Sequence, residues 1–340
     1  MNPNLPVPSA PGAPCPPSPG QTAPGGTSAS APSRSRRQFC QQAALATAGV
    51  ALAGCRTTQG GSSDGFVDAH VHVWTPDQAR YPIHSDFTTA DLQPPSFTPE
   101  ELFRHSQPSG VGRVVLIQMS FYRFDNRYLL DSLHRFPGVF SGVAVVDEAA
   151  TGLSGTVREL ARAGVRGFRI APGKQTVDSW LGAAGMQGLW RVCADQGLAV
   201  CPLINPNALP AVQRICERFP RTRVVVDHFA RIGVDGQFRP DDLDALCRLA
   251  AFPNVYVKTS AFYALGRKQA PYLDLAPLIQ RVRDAFGARR LMWGSDCPYQ
   301  VDPGHNYADS IALIRDRLSF LSAEERRWIL RGTATQVFFD

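Results

Sequence analysis

The chain has 340 residues, 44% of them hydrophobic, with 35 basic against 29 acidic residues and a formal net charge of +6. Three of the basic residues, Arg34, Arg36 and Arg37, fall in residues 1–54 with none of the acidic ones, so the remainder holds 32 bases against 29 acids, a net +3. With no basic run and no basic patch interleaved with aromatics, the composition excludes nucleic acid as a partner.

Residues 1–33 hold ten prolines among Gly, Ser and Ala and no charge, so they cannot bury a core and read as a disordered leader. Residues 34–55 carry the Arg36-Arg37 pair, Phe39 and a mildly apolar stretch from Ala43 to Gly54. That stretch is too short to span a bilayer, which takes roughly 20 residues, and it fits the apolar region of an export signal. The run Ser35-Arg36-Arg37-Gln38-Phe39 resembles a twin-arginine (Tat) signal, and Leu52-Ala53-Gly54-Cys55 resembles a bacterial lipobox. The resemblance implies export to the cell envelope or periplasm and a membrane anchor through a lipid on Cys55; an ordinary cysteine near a cleavage site is the alternative. Residues 56–64 are then a linker, and no later stretch suggests a second membrane segment.

Eight β-branched runs follow, at intervals long enough for a helix between each pair. They are 65–73 (GFVDAHVHV), 113–119, 140–146, 164–170, 198–204, 223–229, 254–260 and 290–296. Helical patterns separate them. In 154–164, Val157, Leu160 and Ala161 stand at i, i+3 and i+4, with Gly164 as a stop; 207–220 ends at Pro220, and 241–253 at Pro253. The segment 125–138 opens on Asp125 as an N-cap and breaks at Pro137-Gly138. Eight strand-then-helix units over residues 65–340 predict a single-domain α/β protein, a (β/α)8 TIM barrel. Cys193, Cys201, Cys216, Cys247 and Cys297 are irregularly spaced among mostly apolar neighbours and read as small buried hydrophobes, not a disulfide framework.

A barrel exposes its site at the C-terminal ends of its strands. Those ends hold His70 and His72, Gln118, Arg169, His228, Lys258 with Ser260, and Asp296. In an extended strand, residues i and i+2 share a face, which sets His70 beside His72, His228 in line with Val226 and Val224, and Asp296 in line with Gly294 and Met292. Three histidines and an aspartate at one rim form a donor set suited to one divalent metal, Zn²⁺ or Mn²⁺. A carboxylate held ionised there can also take a proton from water.

The motifs DAHVHVW (68–74), VVVDHFAR (224–231), VYVKTS (255–260) and LMWGSDCPY (291–299), with the closing segment 321–338, resemble the amidohydrolase superfamily. Within it they resemble the branch of lactone hydrolases that includes L-fuconolactonases, rhamnonolactonases and 2-pyrone-4,6-dicarboxylate lactonases. The resemblance implies a (β/α)8 barrel and hydrolysis of a cyclic ester. It implies metal ligands at His70, His72, His228 and Asp296 and catalytic roles for Asp296, as general base, and His228. Two-metal members carry a strand-4 lysine that becomes carboxylated and a strand-5 histidine; here Arg169 and Cys201 stand there, so one metal at most is expected, and none is compatible. Arg169, Lys258, Gln118 and Arg231 are expected to bind a small substrate, anionic or polyhydroxylated. Trp74, Tyr122 and Tyr263 are pocket walls or packing residues. Another amide or ester hydrolase, a decarboxylase of the same superfamily, and a non-catalytic envelope binding lipoprotein stay open as alternatives, and the sequence carries no signal for oligomeric state.

Overall fold

The computed structural model describes residues 65–173 and 175–340. The expectations for the leader, the signal-like segment, Cys55 and the linker lie outside the described residues.

The strands are β1 (Phe66–Val71), β2 (Val111–Ile117), β3 (Phe140–Ala144), β4 (Val165–Ile170), β5 (Ala199–Pro202), β6 (Arg223–Val226), β7 (Val255–Ser260) and β8 (Leu291–Gly294). They pair in parallel in chain order, each overlapping one of the predicted runs. The helices are α1 (Pro99–Ser106), α2 (Arg127–Arg135), α3 (Leu153–Arg162), α4 (Val177–Gly182), α5 (Ala184–Gln196) and α6 (Leu209–Arg218). They continue with α7 (Pro240–Arg248), α8 (Ala276–Phe286), α9 (Tyr307–Ala312), α10 (Ala323–Arg327) and α11 (Thr333–Phe338). Their starts follow local chemistry. Thr98 and Glu101 form a reciprocal capping box over α1 with Pro99 in its first position, and Ser322 with Glu325 does the same for α10. At α2 the N-cap position belongs to Asn126, one residue after the Asp125 that the sequence suggests; Asp125 still accepts from the Arg127 N–H at 3.1 Å. Among the described residues no helix is long and apolar enough to cross a membrane.

The barrel closes where β1 meets the segment after β8. Val71 bridges Cys297 in parallel, His72 N–H donates to the Cys297 carbonyl at 2.8 Å, and Asp296 N–H donates to the His70 carbonyl at 2.8 Å. Buried Asp68 fastens this seam, accepting from Ser295 N–H (2.8 Å), His70 N–H (3.1 Å) and the Tyr307 hydroxyl (2.7 Å). The result is a (β/α)8 TIM barrel.

Val67, Val115, Ile117, Val143, Ala199, Cys201, Val225, Tyr256 and Met292 pack together inside it. Val224, Val226, Val257, Leu291 and Trp293 belong instead to the larger core, as strict alternation requires. Ala334, Val337 and Phe338 of α11 join the inner cluster. Arg113 at the start of β2 donates to Thr335 Oγ1, and Arg223 at the start of β6 donates to the Val337 carbonyl. The last helix therefore plugs the N-terminal mouth, leaving the C-terminal rim for chemistry. Cys193, Cys201, Cys216, Cys247 and Cys297 are all free, and all but Cys247 are buried, as expected of small hydrophobes.

Candidate active site

Irregular backbone as well as strand alternation brings the rim residues together. In β1 a register shift between Asp68 and Val71 reverses the inward phase set by Val67, so that His70 turns into the barrel. The Met292 phase of β8 carries on through Gly294 to Asp296, which is left-handed at φ 65°. An ideal Cβ on Gly294 would lie 2.8 Å from the His70 Cβ and 3.0 Å from its backbone nitrogen. Gly294→Ala is therefore expected to push β1 and β8 apart, costing about 1–3 kcal/mol in urea unfolding. Turnover should fall as well, and unchanged stability would show that His70 is not tightly seated.

β6 behaves differently from the sequence expectation. Val225 faces inward, so alternation puts Asp227, not His228, inside the barrel. His228 does not continue the line of Val224 and Val226. It reaches the site because the strand stops at Val226 and His228, Phe229, Ala230 and Arg231 all adopt left-handed backbone, φ 52–60°. L-residues resist that conformation by about 1–2 kcal/mol each, so the run is strained and held by its surroundings. Three successive valines hid the phase, and Asp227 was missed for that reason.

Asp296 is the hub. Its Oδ1 lies 3.4 Å from His72 Nε2 and 3.5 Å from His70 Nε2, and its Oδ2 lies 3.8 Å from His228 Nε2. The Tyr263 hydroxyl donates to the same Oδ2 at 2.7 Å. His72 is set by its other nitrogen: Nδ1 is 2.9 Å from the Ile117 carbonyl, which can only accept, so Nδ1 carries a proton and Nε2 faces the Asp296 carboxylate. Ser260 Oγ, 2.8 Å from His228 Nδ1, orients that ring.

Beneath the hub lies an ionic floor. Asp227 pairs with Lys258 Nζ at 3.0 Å and accepts from Arg169 Nη2 at 3.2 Å, with His70 Nδ1 at 3.3 Å. Lys258 is 0% exposed, between His70 Nδ1 at 3.1 Å and the face of Phe338. Asp227 thus faces two cations, Lys258 and Arg169. Burial works against the Asp227 charge, but Lys258, His70 and Arg169 hold its carboxyl well below the usual range. Asp296 is likewise opposed by burial and held low by His228, His72 and His70. Burial, then Asp296, drives the Tyr263 phenol well above 10, so it stays a donor.

Burial pushes His228 down to about 4, and burial followed by Lys258 pushes His70 well below 6.5. In the unfolded chain both titrate near 6.5. From about pH 6.5 down to about 4 the unfolded state binds protons that the folded state refuses. Stability is therefore complete above that window and falls as pH drops. The urea midpoint should decline across it, by up to about 1.4 kcal/mol per pH unit for each histidine. A flat midpoint between about pH 7 and 5 would show that neither ring is held neutral.

The sequence-predicted residues thus divide. His70, His72, His228, Asp296 and Arg169 converge, and half-buried Arg231 stands at the end of the left-handed run, close enough to Arg169 and Asp296 to feel their charge. Two expected substrate-binding residues are placed otherwise. Lys258 sits under His70 in the floor, where a rim substrate meets His70 first. The Gln118 amide donates to the Asp125 carbonyl at 2.7 Å and ties the loop after β2. Trp74 and Tyr122 are packed, at 0% and 3% exposure, whereas Tyr263 touches the hub. Tyr263 and Asp227 are the functional candidates whose part the sequence did not show.

His70, His228 and Asp296 offer ligand atoms all within 4.8 Å of one another, a donor set whose chemistry suits zinc. The fit fails at one atom. Arg169 Nη2 lies 2.9 Å from His70 Nε2, and a guanidinium only donates, so the lone pair that a metal would need is taken. A cation would have to displace Arg169 to reach that nitrogen.

Residues 67–339 match the Amidohydrolase family. The chain is 33% identical over 286 residues to an L-fucono-1,5-lactonase of Burkholderia ambifaria, covering 80% of this chain and 94% of that protein. It is 28% identical to a 2-pyrone-4,6-dicarboxylate hydrolase of Comamonas testosteroni, over 69% and 77% of the two chains. Its fold matches that of an amidohydrolase from Burkholderia multivorans crystallised with bound zinc, at a TM-score of 0.68 and 24% identity, covering 80% of this chain and 98% of that one. The chain belongs to the amidohydrolase family.

Proposed function

We propose that the protein is a lactone hydrolase, a carboxylic ester hydrolase in which Asp296 activates water. The observation that carries this reading is the hub itself: a 5% exposed carboxylate with one oxygen turned to His70 and His72 and the other fixed by Tyr263 and faced by His228. Asp296 takes a proton from water as the water oxygen attacks the ring carbonyl carbon. His228 has Nδ1 beside the Ser260 hydroxyl; with that hydroxyl donating, its Nε2–H points at the site and steadies the developing oxyanion. Arg169, with 13% of its side chain exposed, adds positive charge from the floor. When the ring C–O bond breaks, Asp296 returns its proton to the leaving alkoxide, and the product is an open hydroxy acid.

The similarity to the L-fucono-1,5-lactonase favours a sugar-acid lactone. The floor agrees: the Arg169 charge is engaged by Asp227, which suits hydroxyl-bearing rings better than dicarboxylates. The Arg36-Arg37 pair and the Leu52–Cys55 stretch support an envelope location with Cys55 as the lipid-bearing residue. The test is proton release from a panel of neutral and carboxylated lactones by the purified protein. Acid release from at least one ring by the parent and not by Asp296→Asn supports the reading. No release from any lactone by folded protein refutes it.

A further inference from the structure

Arg169 lies on β4 in register with Cys201, one of the residues facing the barrel interior. Its Nη2 touches both His70 Nε2, at 2.9 Å, and Asp227 Oδ2, at 3.2 Å. His70 therefore has two cationic neighbours, Arg169 at Nε2 and Lys258 at Nδ1, but a neutral imidazole has one lone pair and one N–H. The acceptors decide which nitrogen keeps the proton. Nδ1–H has Asp227 Oδ1 within 3.3 Å, while Nε2 has Asp296 Oδ1 at 3.5 Å and a guanidinium N–H closer than that. The proton is assigned to Nδ1, with Lys258 Nζ 3.0 Å from Asp227 Oδ1 and 3.1 Å from that nitrogen, and the Nε2 lone pair accepts from Arg169.

That tautomer is the one a metal would require, and the lone pair it frees is the one Arg169 occupies. His70 belongs to the triad with His228 and Asp296 whose ligand atoms lie within 4.8 Å, and Nε2 is the nitrogen it turns to Asp296, at 3.5 Å from Oδ1. We infer that Arg169 is a resident cation that keeps divalent metal out of this triad, so that one side chain decides whether the barrel is a metal site. The inference rests on hydrogen-bond directions and stands whether or not the substrate is a lactone.

Zinc binding to the full chain tests it, by calorimetry and equilibrium dialysis on the parent and on Arg169→Met. Asp227 keeps Lys258 and His70 in the variant, so its charge stays paired. Removing a unit charge next to the site should tighten one-to-one zinc binding at least roughly tenfold. Adding Asp296→Asn to Arg169→Met should abolish the gain, and cobalt should show ligand-field bands in Arg169→Met that the parent lacks. Arg169→Gln, neutral and still able to hydrogen-bond, carries the same expectation if the methionine variant does not fold. Three results overturn the inference: equal zinc affinity in parent and variant, a gain that survives Asp296→Asn, or parent binding that is already one-to-one, tight and lost in Asp296→Asn alone.

Discussion

Asp296→Asn is expected to lower turnover by about 10²–10⁴-fold, the usual worth of a positioned general base. At about 1.4 kcal/mol per decade, that is roughly 3–5 kcal/mol of barrier. The substitution isolates the chemistry because so little else changes. Asparagine has the volume of aspartate and tolerates the left-handed backbone at φ 65° better than most residues. The backbone bond from residue 296 to the His70 carbonyl remains, and Tyr263 can donate to the amide oxygen as it does to Oδ2. What disappears is the basic oxygen 3.4 Å from His72 and the negative charge among the three histidines. Folding should persist by circular dichroism and KM should move little while kcat collapses. Turnover within about threefold of the parent would remove Asp296 from the reaction. Asp296 is held well below the ordinary carboxylate range, so an acid limb near neutrality is not the titration of this base and should survive in any residual activity of the variant.

Most of the barrel was legible because its signal is redundant. Eight separate apolar runs, each followed by an amphipathic stretch, have few economical foldings. His70 and His72 were legible as a pair, since two imidazoles in one apolar run ask for a shared purpose, and their rings do lie 5.1 Å apart. The partners beneath them were not. Alternation can be read along a strand only when one face differs from the other, and Val224, Val225 and Val226 are the same on both. His228 suggests the opposite phase, because it escapes alternation through left-handed backbone, and so it hides Asp227. Read from Val225, the pattern gives Asp227 directly. Lys258 is hard to place from sequence because a charged residue at a strand end suggests solvent or substrate, and only the three-dimensional coincidence with Asp227 makes burial tolerable. Tyr263 lies in an irregular loop after β7, where no period exists to read. The seam residue Asp68 carries a similar lesson, since its three donors come from β1, from the turn after β8 and from α9.

Lys258→Met should destabilise the protein by about 3 kcal/mol or more, because it leaves Asp227 buried with part of its compensation removed. Asp227 is 0% exposed, and of its cations only Arg169, at 3.2 Å and partly open to the rim, would remain. Methionine fills much of the lysine volume against Phe338, so little of the loss comes from a cavity. The double variant Lys258→Met/Asp227→Asn removes both charges, and a substantial part of the stability should return, with a coupling of at least about 1 kcal/mol in a double-mutant cycle. Additive losses would show that the pair is not what supports the floor. The single variant also makes a statement about His70. Lys258 is among the causes that hold that imidazole below its usual range, second to burial. Without it the folded-state value rises toward 6.5, fewer protons separate the folded and unfolded chains, and the loss of stability on acidification becomes shallower. The floor thus does two things with one lysine. It neutralises Asp227, and it keeps His70 in the neutral form that can accept from Arg169 and face Asp296. A Lys258→Met protein that is less stable at neutral pH yet loses less on going to about pH 5 would carry both signatures at once. One with an unchanged pH slope would confine Lys258 to the first.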